Sequence, residues 1–337
     1  MNFADLGRVA AEMVAANKGI LAADESSGTI KKRFDKISLE STEEARRSYR
    51  ELLFTTPDMA KSISGVILYD ETLRQKTSSG VPFPQYLAKL GVIPGIKVDA
   101  GAKPLAGFAN ETITEGLDGL RERLAEYFKL GARFAKWRAV IDIGAGFPTA
   151  YAIHANAQAL ARYAALCQEQ NIVPIVEPEV LMDGAHSLER CEEVTDAVLA
   201  EVFQQLHGHR VYLEGMILKP NMVIAGKKCP QRASPEQVAA ATVRCLKRHV
   251  PGAVPGIAFL SGGQAPVEAT LHLSLMNALG TLPWQLSFSY GRALQDAALT
   301  AWGGKPAAVA AGQSAFGKWA RLNGLARSGR FKSGMEA

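Results

Sequence analysis

The chain has 337 residues, 47% of them apolar and 21% charged, with 31 glycines spread along it. That composition belongs to a compact protein with an ample core and excludes extensive disorder. Its 38 basic and 33 acidic residues leave a net charge of +5 that is dispersed rather than striped, so a nucleic-acid partner is not indicated.

No apolar run approaches the ~20 residues that span a bilayer, and no membrane partner is expected. The opening residues, Met1-Asn2-Phe3-Ala4-Asp5-Leu6, lack a basic segment followed by an apolar core. Cys167, Cys191, Cys229 and Cys245 form no C-x-x-C pair, and reduced structural thiols are the default. The expectation is a soluble cytoplasmic protein.

Taken in chain order, eight short apolar stretches fall at residues 19–24, 65–70, 93–99, 134–140, 173–180, 216–223, 256–263 and 284–291. Most are almost continuously apolar, as strands covered on both faces of a parallel sheet are. The segments between them are long enough for crossover helices, with helical apolar spacing over 149–170 and 235–249. Eight strand–helix units predict an α/β protein with a (β/α)8 TIM barrel; a doubly wound open sheet is the alternative. No Pro/Gly-rich linker divides the chain, so residues 1–337 read as one domain. Residues 306–337 form a peripheral C-terminal segment, mostly helical, with a mobile end from Lys332 to Ala337.

Barrels of this kind carry their chemistry at the carboxyl ends of the strands, and this sequence is charged there. Asp24 ends the first stretch, Asp70 and Glu71 the second, Lys97 and Asp99 the third, Lys136 and Arg138 the fourth, Glu177 and Glu179 the fifth. The period of two puts each of the last three pairs on one strand face, which in a barrel can be the interior. Lys219 stands inside the sixth run, Gly215-Met216-Ile217-Leu218-Lys219-Pro220-Asn221-Met222-Val223. An ammonium group there costs several kcal/mol unless paired or neutralised. A lysine stripped of water can lose its proton and attack a carbonyl, although in isolation a structural buried ion pair is the better explanation.

The last two stretches end in Leu260-Ser261-Gly262-Gly263-Gln264 and Phe288-Ser289-Tyr290-Gly291-Arg292. Glycines admit close backbone approach, hydroxyl and N–H groups hold phosphate oxygens, and Arg292 offers a planar fork to them. A second anion site is indicated where Ser26, Thr29, Lys32 and Arg33 leave the first strand and enter a helix, with helix capping as the plainer role of the hydroxyls. Metal chemistry finds little support: His207 and His209 are the only close histidine pair and read as a solvated loop. Neither G-x-S-x-G nor G-x-G-x-x-G occurs.

The segments GILAADESSGTIKKRF, GVILYDETLRQ, GIKVDAGAKPLAG, FAKWRAVI, VPIVEPEVLMDGAHSLERC, LEGMILKPNMV, FLSGGQ and FSYGRALQDAALTAWGGK, in this order from about residue 18 to 305, resemble class I, Schiff-base-forming fructose-bisphosphate aldolase. The resemblance implies reversible cleavage of fructose 1,6-bisphosphate in glycolysis and gluconeogenesis, with no metal or cofactor and a covalent imine on Lys219. It implies Glu177 as the acid/base for carbinolamine dehydration and Asp24 as an aid to proton removal from the C4 hydroxyl. Lys136 would favour the free amine of its neighbour by its charge, and Glu179 would orient the lysines. Lys97 and Arg138 would add positive charge. Leu260, Ser261, Gly262, Gly291 and Arg292 match the region for the ketose C1 phosphate, and Ser26, Thr29 and Arg33 the region for the far one. A homotetramer is also implied.

Two departures stand out. Thr29 replaces a serine common in the family, keeping the hydroxyl. Animal members continue further and end in a tyrosine that takes part in proton exchange on the enamine, whereas the last tyrosine here is Tyr290, so no tail residue is carried over. Two other readings stay open: a Schiff-base enzyme preferring sedoheptulose 1,7-bisphosphate or fructose 1-phosphate, and a non-catalytic sugar-phosphate-binding protein.

Overall fold

The computed structural model describes residues 1–336. Eight parallel strands, β1 (Gly19–Ala23), β2 (Ile63–Leu68), β3 (Ile93–Lys97), β4 (Phe134–Ile141), β5 (Val173–Val180), β6 (Ile217–Leu218), β7 (Gly256–Phe259) and β8 (Gln285–Tyr290), close into a barrel in which each is bonded to its neighbour in sequence and β8 to β1. This is the (β/α)8 barrel that the spacing predicts. The crossover helices begin where the sequence caps them: the Thr149 hydroxyl accepts from the Ala152 N–H at 3.1 Å to start Ala150–Glu169, and Ser234 with Gln237 makes a capping box for Pro235–His249.

The interior rows change character along the barrel axis. On β4 the inward residues are Phe134, Lys136 and Arg138; on β5 they are Val173, Ile175, Glu177 and Glu179. The lower members join Ile20, Ile67, Ile217 and Ala258 in a cluster with Leu6, Val9, Ala10 and Met13 of the first helix (Phe3–Met13), which plugs the amino-terminal end. Phe134 fills the centre because Gly95 has no side chain: a Cβ there would stand 2.2 Å from the ring. The upper members are the charges.

Several expectations need correction. β6 has only two residues rather than a run over 216–223, because Pro220 cannot donate to the ladder. β7 ends at Phe259, and the glycines that follow leave the sheet. Asp70 and Glu71 do not end a strand facing the interior; they open a short helix (Asp70–Arg74) and pair with Arg74 and Arg46 on the shell. His207 lies in the helix Leu188–Gly208 and His209 caps it, so the pair is not a loop. A two-stranded antiparallel hairpin, Gly101–Pro104 with Thr112–Glu115, stands over the carboxyl end in addition to the eight strand–helix units.

The C-terminal helix (Val309–Ala326) packs against the helices Arg292–Trp302 and Pro266–Ala278, burying Phe316, and Phe331 tucks in after it. Arg327 reaches back beneath the barrel and donates to the carbonyls of Leu286, Val14 and Ala15 at 2.5, 2.5 and 2.9 Å. It thereby satisfies the Val14 carbonyl at the end of the first helix and adds a second donor to the Ala15 carbonyl, which already accepts from the Lys18 N–H. Of the end read as mobile, Ala337 lies outside the described residues.

Candidate functional site

Lys219 is the first residue past β6. Its N–H still donates to the Val176 carbonyl at 2.8 Å, which holds the residue in strand register and turns the side chain inward. The residue is 4% exposed, and Nζ stands 3.2 Å from Glu177 Oε1. Lys136 enters the same space from β4, with Nζ 2.7 Å from Asp24 Oδ2, 3.6 Å from Glu177 Oε2 and 3.9 Å from Asp99 Oδ2. Glu177 therefore offers one oxygen to each lysine.

These charges divide unequally. Burial pushes the Lys136 ammonium towards losing its proton, but Asp24, Glu177 and Asp99 override this and hold its pKa well above the usual lysine range. Burial likewise pushes the Asp24 carboxyl up, yet Lys136 and Lys219 hold it well below the ordinary carboxylate value. Lys136 is thus fixed as a cation and Asp24 as an anion. Among the described residues Lys219 has one carboxylate within ion-pair distance where Lys136 has three.

Towards the mouth lies a second charged layer. Lys97 Nζ bonds Asp99 Oδ1 at 2.6 Å and the Asp99 carbonyl at 2.7 Å. Asp99 also accepts from the Gly101 N–H, fixing the start of the hairpin. Arg138 donates to Glu179. Among the described residues Glu179 has no ion pair with either lysine, so the carboxylates positioned to orient Lys136 are Asp24, Asp99 and Glu177.

The β7 and β8 ends form a separate, positive lobe. After Leu260 and Ser261 the backbone turns through left-handed Gly262 (φ 55°) and Gly263 (φ 78°), which a side chain would strain. The turn is held from behind. Gln264 Nε2 donates to the Ser261 carbonyl at 3.0 Å, and Gln264 Oε1 lies 2.7 Å from buried His272 Nδ1. Burial pushes the His272 pKa down to about 4, so near neutral pH the ring is uncharged and Nδ1–H is the donor. Arg292 follows Gly291 and has no hydrogen bond or ion pair among the described residues. Ser289 Oγ, 1% exposed, also lacks a partner.

At the β1 end, Ser26 precedes the helix Ser27–Phe34, and its hydroxyl lies 3.1 Å from that of Thr29 rather than capping the helix. Arg33 pairs with buried Glu25 at 2.6 Å, and Glu25 also takes Arg50 at 2.9 Å and Gln295 Nε2 at 2.9 Å. Arg33 Nη2 lies 3.5 Å from where a Gly291 Cβ would stand, so the β1 and β8 lobes adjoin.

All fifteen residues singled out from the sequence line one cavity of about 660 Å³ at the carboxyl end of the barrel. Two others that shape it received no role: Asp99, which was seen only as a strand-end charge, and Glu25, which the period-two pattern does not reach. Among the described residues no group of three or more His, Cys, Asp and Glu is arranged to hold a metal ion.

The chain matches the family model described as fructose-bisphosphate aldolase class-I over residues 5–337. It is 58% identical to a probable fructose-bisphosphate aldolase class 1 of Xanthomonas campestris pv. campestris over 333 residues, 98% of this chain and 100% of the relative. It is 55% identical to fructose-bisphosphate aldolase B of Gallus gallus over 97% of this chain and 90% of the relative. A solved fructose-bisphosphate aldolase from Plasmodium falciparum, in complex with TRAP and a small-molecule inhibitor, superposes with a TM-score of 0.97 at 52% identity, covering 98% of this chain and 96% of that one. With the fold, the charged cavity and these likenesses in agreement along nearly its whole length, the chain belongs to the class-I fructose-bisphosphate aldolase family.

Proposed function

We propose that this aldolase cleaves fructose 1,6-bisphosphate reversibly to dihydroxyacetone phosphate and glyceraldehyde 3-phosphate through an imine on Lys219. The observation that carries the reading is the unequal pairing of the two buried lysines. Lys136 is pinned by three carboxylates, while among the described residues Lys219 meets only Glu177, 3.2 Å away, which can take and return its proton.

In this reading the Lys219 amine attacks the C2 ketone. Glu177 gives a proton to the resulting hydroxyl, which leaves as water, and the iminium remains. Asp24 accepts the C4 hydroxyl proton as the C3–C4 bond breaks and its electron pair moves into the iminium, giving an enamine and the free aldehyde. Protonation of the enamine at C3 and hydrolysis return the amine. Lys136 keeps a positive charge beside Asp24 and Glu177 throughout. The Ser261–Gly263 turn, Gly291 and Arg292 hold the C1 phosphate, and Ser26, Thr29, Lys97, Arg138 and Arg33 supply the opposite lobe, with Glu179 setting the pose of Arg138.

The same reading takes residues 1–337 as one catalytic domain with 306–337 at its periphery, working in the cytoplasm as a homotetramer in glycolysis and gluconeogenesis. Family resemblance supports this, and sedimentation of the purified protein tests the subunit number. For the chemistry, borohydride is added with dihydroxyacetone phosphate and the modified peptide identified by mass spectrometry. A single adduct on Lys219 and activity unchanged by chelator are expected. An adduct on Lys136, or cleavage without any adduct, overturns the assignment.

A further inference from the structure

The phosphate lobe contains a cation that neither the motifs nor the mechanism uses. Lys227 lies on the loop after β6, where its N–H donates to the Met182 carbonyl at 2.7 Å and the next N–H, of Lys228, to Gly184 at 3.0 Å. These bonds lay the loop along the segment that follows β5 and aim the Lys227 side chain across it at the β7 turn. There Nζ stands 2.9 Å, and Arg292 Nη2 3.1 Å, from the point where a Gly263 Cβ would lie. The two cations thus converge on one wedge that glycine leaves open, beside the N–H groups of the left-handed turn.

Two positive groups so close repel unless an anion lies between them. The carboxylate at hand is Asp183, 2.7 Å from Lys227 Nζ, but its side chain is 61% exposed and makes no ion pair with Arg292. An exposed pair of this kind contributes little, on the order of 0–1 kcal/mol, so Lys227 can leave it at small cost. A phosphate dianion seated on the turn offers oxygens to both cations and a stronger, charge-assisted bond.

We propose that Lys227 is a substrate-binding residue: on arrival of the C1 phosphate it leaves Asp183 and closes with Arg292 over the phosphate. It would make the site favour ketoses phosphorylated at C1 over unphosphorylated ones, and Asp183 would act as the holding partner of the empty state. The inference rests on the reading of the β7–β8 lobe as the phosphate site.

The test compares Lys227→Met, Lys227→Arg, Asp183→Asn and Arg292→Ala in steady-state cleavage of fructose 1,6-bisphosphate. Borohydride trapping on Lys219 is measured in parallel with dihydroxyacetone phosphate and with dihydroxyacetone, which has no phosphate. Lys227→Met should raise KM about tenfold, the loss of one charge-assisted bond, with kcat within about twofold, and Lys227→Arg should restore most of it. Asp183→Asn, freeing the lysine, should lower KM. Trapping by Lys227→Met should weaken with the phosphorylated ketone and not with the unphosphorylated one. If Lys227→Met leaves KM and the trapping ratio unchanged while Arg292→Ala shifts both, the role of Lys227 is wrong and the phosphate lobe stands. If neither variant distinguishes the two ketones, the lobe itself has been misread.

Discussion

At its amino-terminal end the barrel is filled by Ile20, Ile67, Phe134, Val173, Ile175, Ile217 and Ala258 and sealed by the first helix; two residues further along the same strands the inward positions are Lys136, Glu177 and Lys219. Backbone, register and period are shared, and only the side chains differ. Apolar burial at the lower end contributes roughly 25 cal/mol per Å² without directional demands. The upper end removes charges from water and recovers that cost only through close pairing. Stability and chemistry are therefore stacked along one axis, and substitutions at the two levels should separate them.

The largest effect is expected at Lys219. In the proposed mechanism its amine carries the covalent route, so Lys219→Ala should lose about 10⁴-fold or more in kcat and all borohydride adduct. Glu177 keeps Lys136 as a cation 3.6 Å away, so no carboxylate is left without a partner. Urea unfolding should therefore show a smaller loss than a cavity at the lower end. A Lys219→Ala variant less stable than Phe134→Ala would break the division between the two levels.

Phe134→Ala is the matching cut below. Its ring occupies the space that Gly95 and Gly65 leave, with the Gly65 Cβ position 3.0 Å from it, so the cavity cannot collapse onto neighbouring side chains. A loss of about 3–5 kcal/mol in urea unfolding is expected, with kcat reduced less than about tenfold because Lys136 is held by its carboxylates rather than by the ring.

Asp24→Asn joins the levels, since Asp24 pairs with Lys136 and is the proton acceptor in the proposed mechanism. A fall of about 10²–10³ in kcat is expected from losing an acid/base group. Its lowered pKa also makes a stability statement. A carboxyl held below its unfolded value near 3.9 stabilises the fold above that pH and loses the contribution as pH falls through the folded value. The stability gap between wild type and Asp24→Asn should thus be full at pH 7 and shrink below about pH 4. A gap that grows with acid would mean that Asp24 is not the carboxylate holding Lys136.

Much of this arrangement was legible in the sequence, for physical reasons that also explain the gaps. β5 is an uninterrupted buried run with two inward carboxylates, and its bounds 173–180 coincide with the observed strand because both sheet faces are covered. The hairpin Gly101–Pro104 with Thr112–Glu115 is short, half exposed and polar, so it carries no apolar period to detect. The plug Phe3–Met13 is amphipathic, with Leu6, Val9, Ala10 and Met13 on its buried face, but it lies outside the strand–helix rhythm from which the barrel is read. In the site, residues reached through strand period stood out. Glu25, held by Arg33 and Arg50 from two helices, and Lys227, aimed across from a loop, depend on tertiary placement that no local pattern encodes.

The smallest effect is expected beneath the plug, at Arg327. It is a buried cation whose partners among the described residues are all carbonyls, those of Leu286, Val14 and Ala15, and burial lowers its pKa to about 10. Removing it relieves the cost of a desolvated charge but strands the Val14 carbonyl at the end of the first helix, while Ala15 keeps its bond from the Lys18 N–H, and the two effects oppose each other. Arg327→Met keeps the aliphatic stem and should cost about 1–3 kcal/mol in urea unfolding, the penalty for an unsatisfied acceptor, with kcat and KM unchanged. Because Arg327 belongs to the segment after the C-terminal helix and its acceptors lie next to the first helix and on β8, hydrogen exchange in that variant should quicken in the Phe3–Met13 helix before it does in β4 or β5. Exchange that instead rose first around Lys136 and Glu177 would show the two ends of the barrel to be mechanically one, and the separation of stability from chemistry would fail at its base.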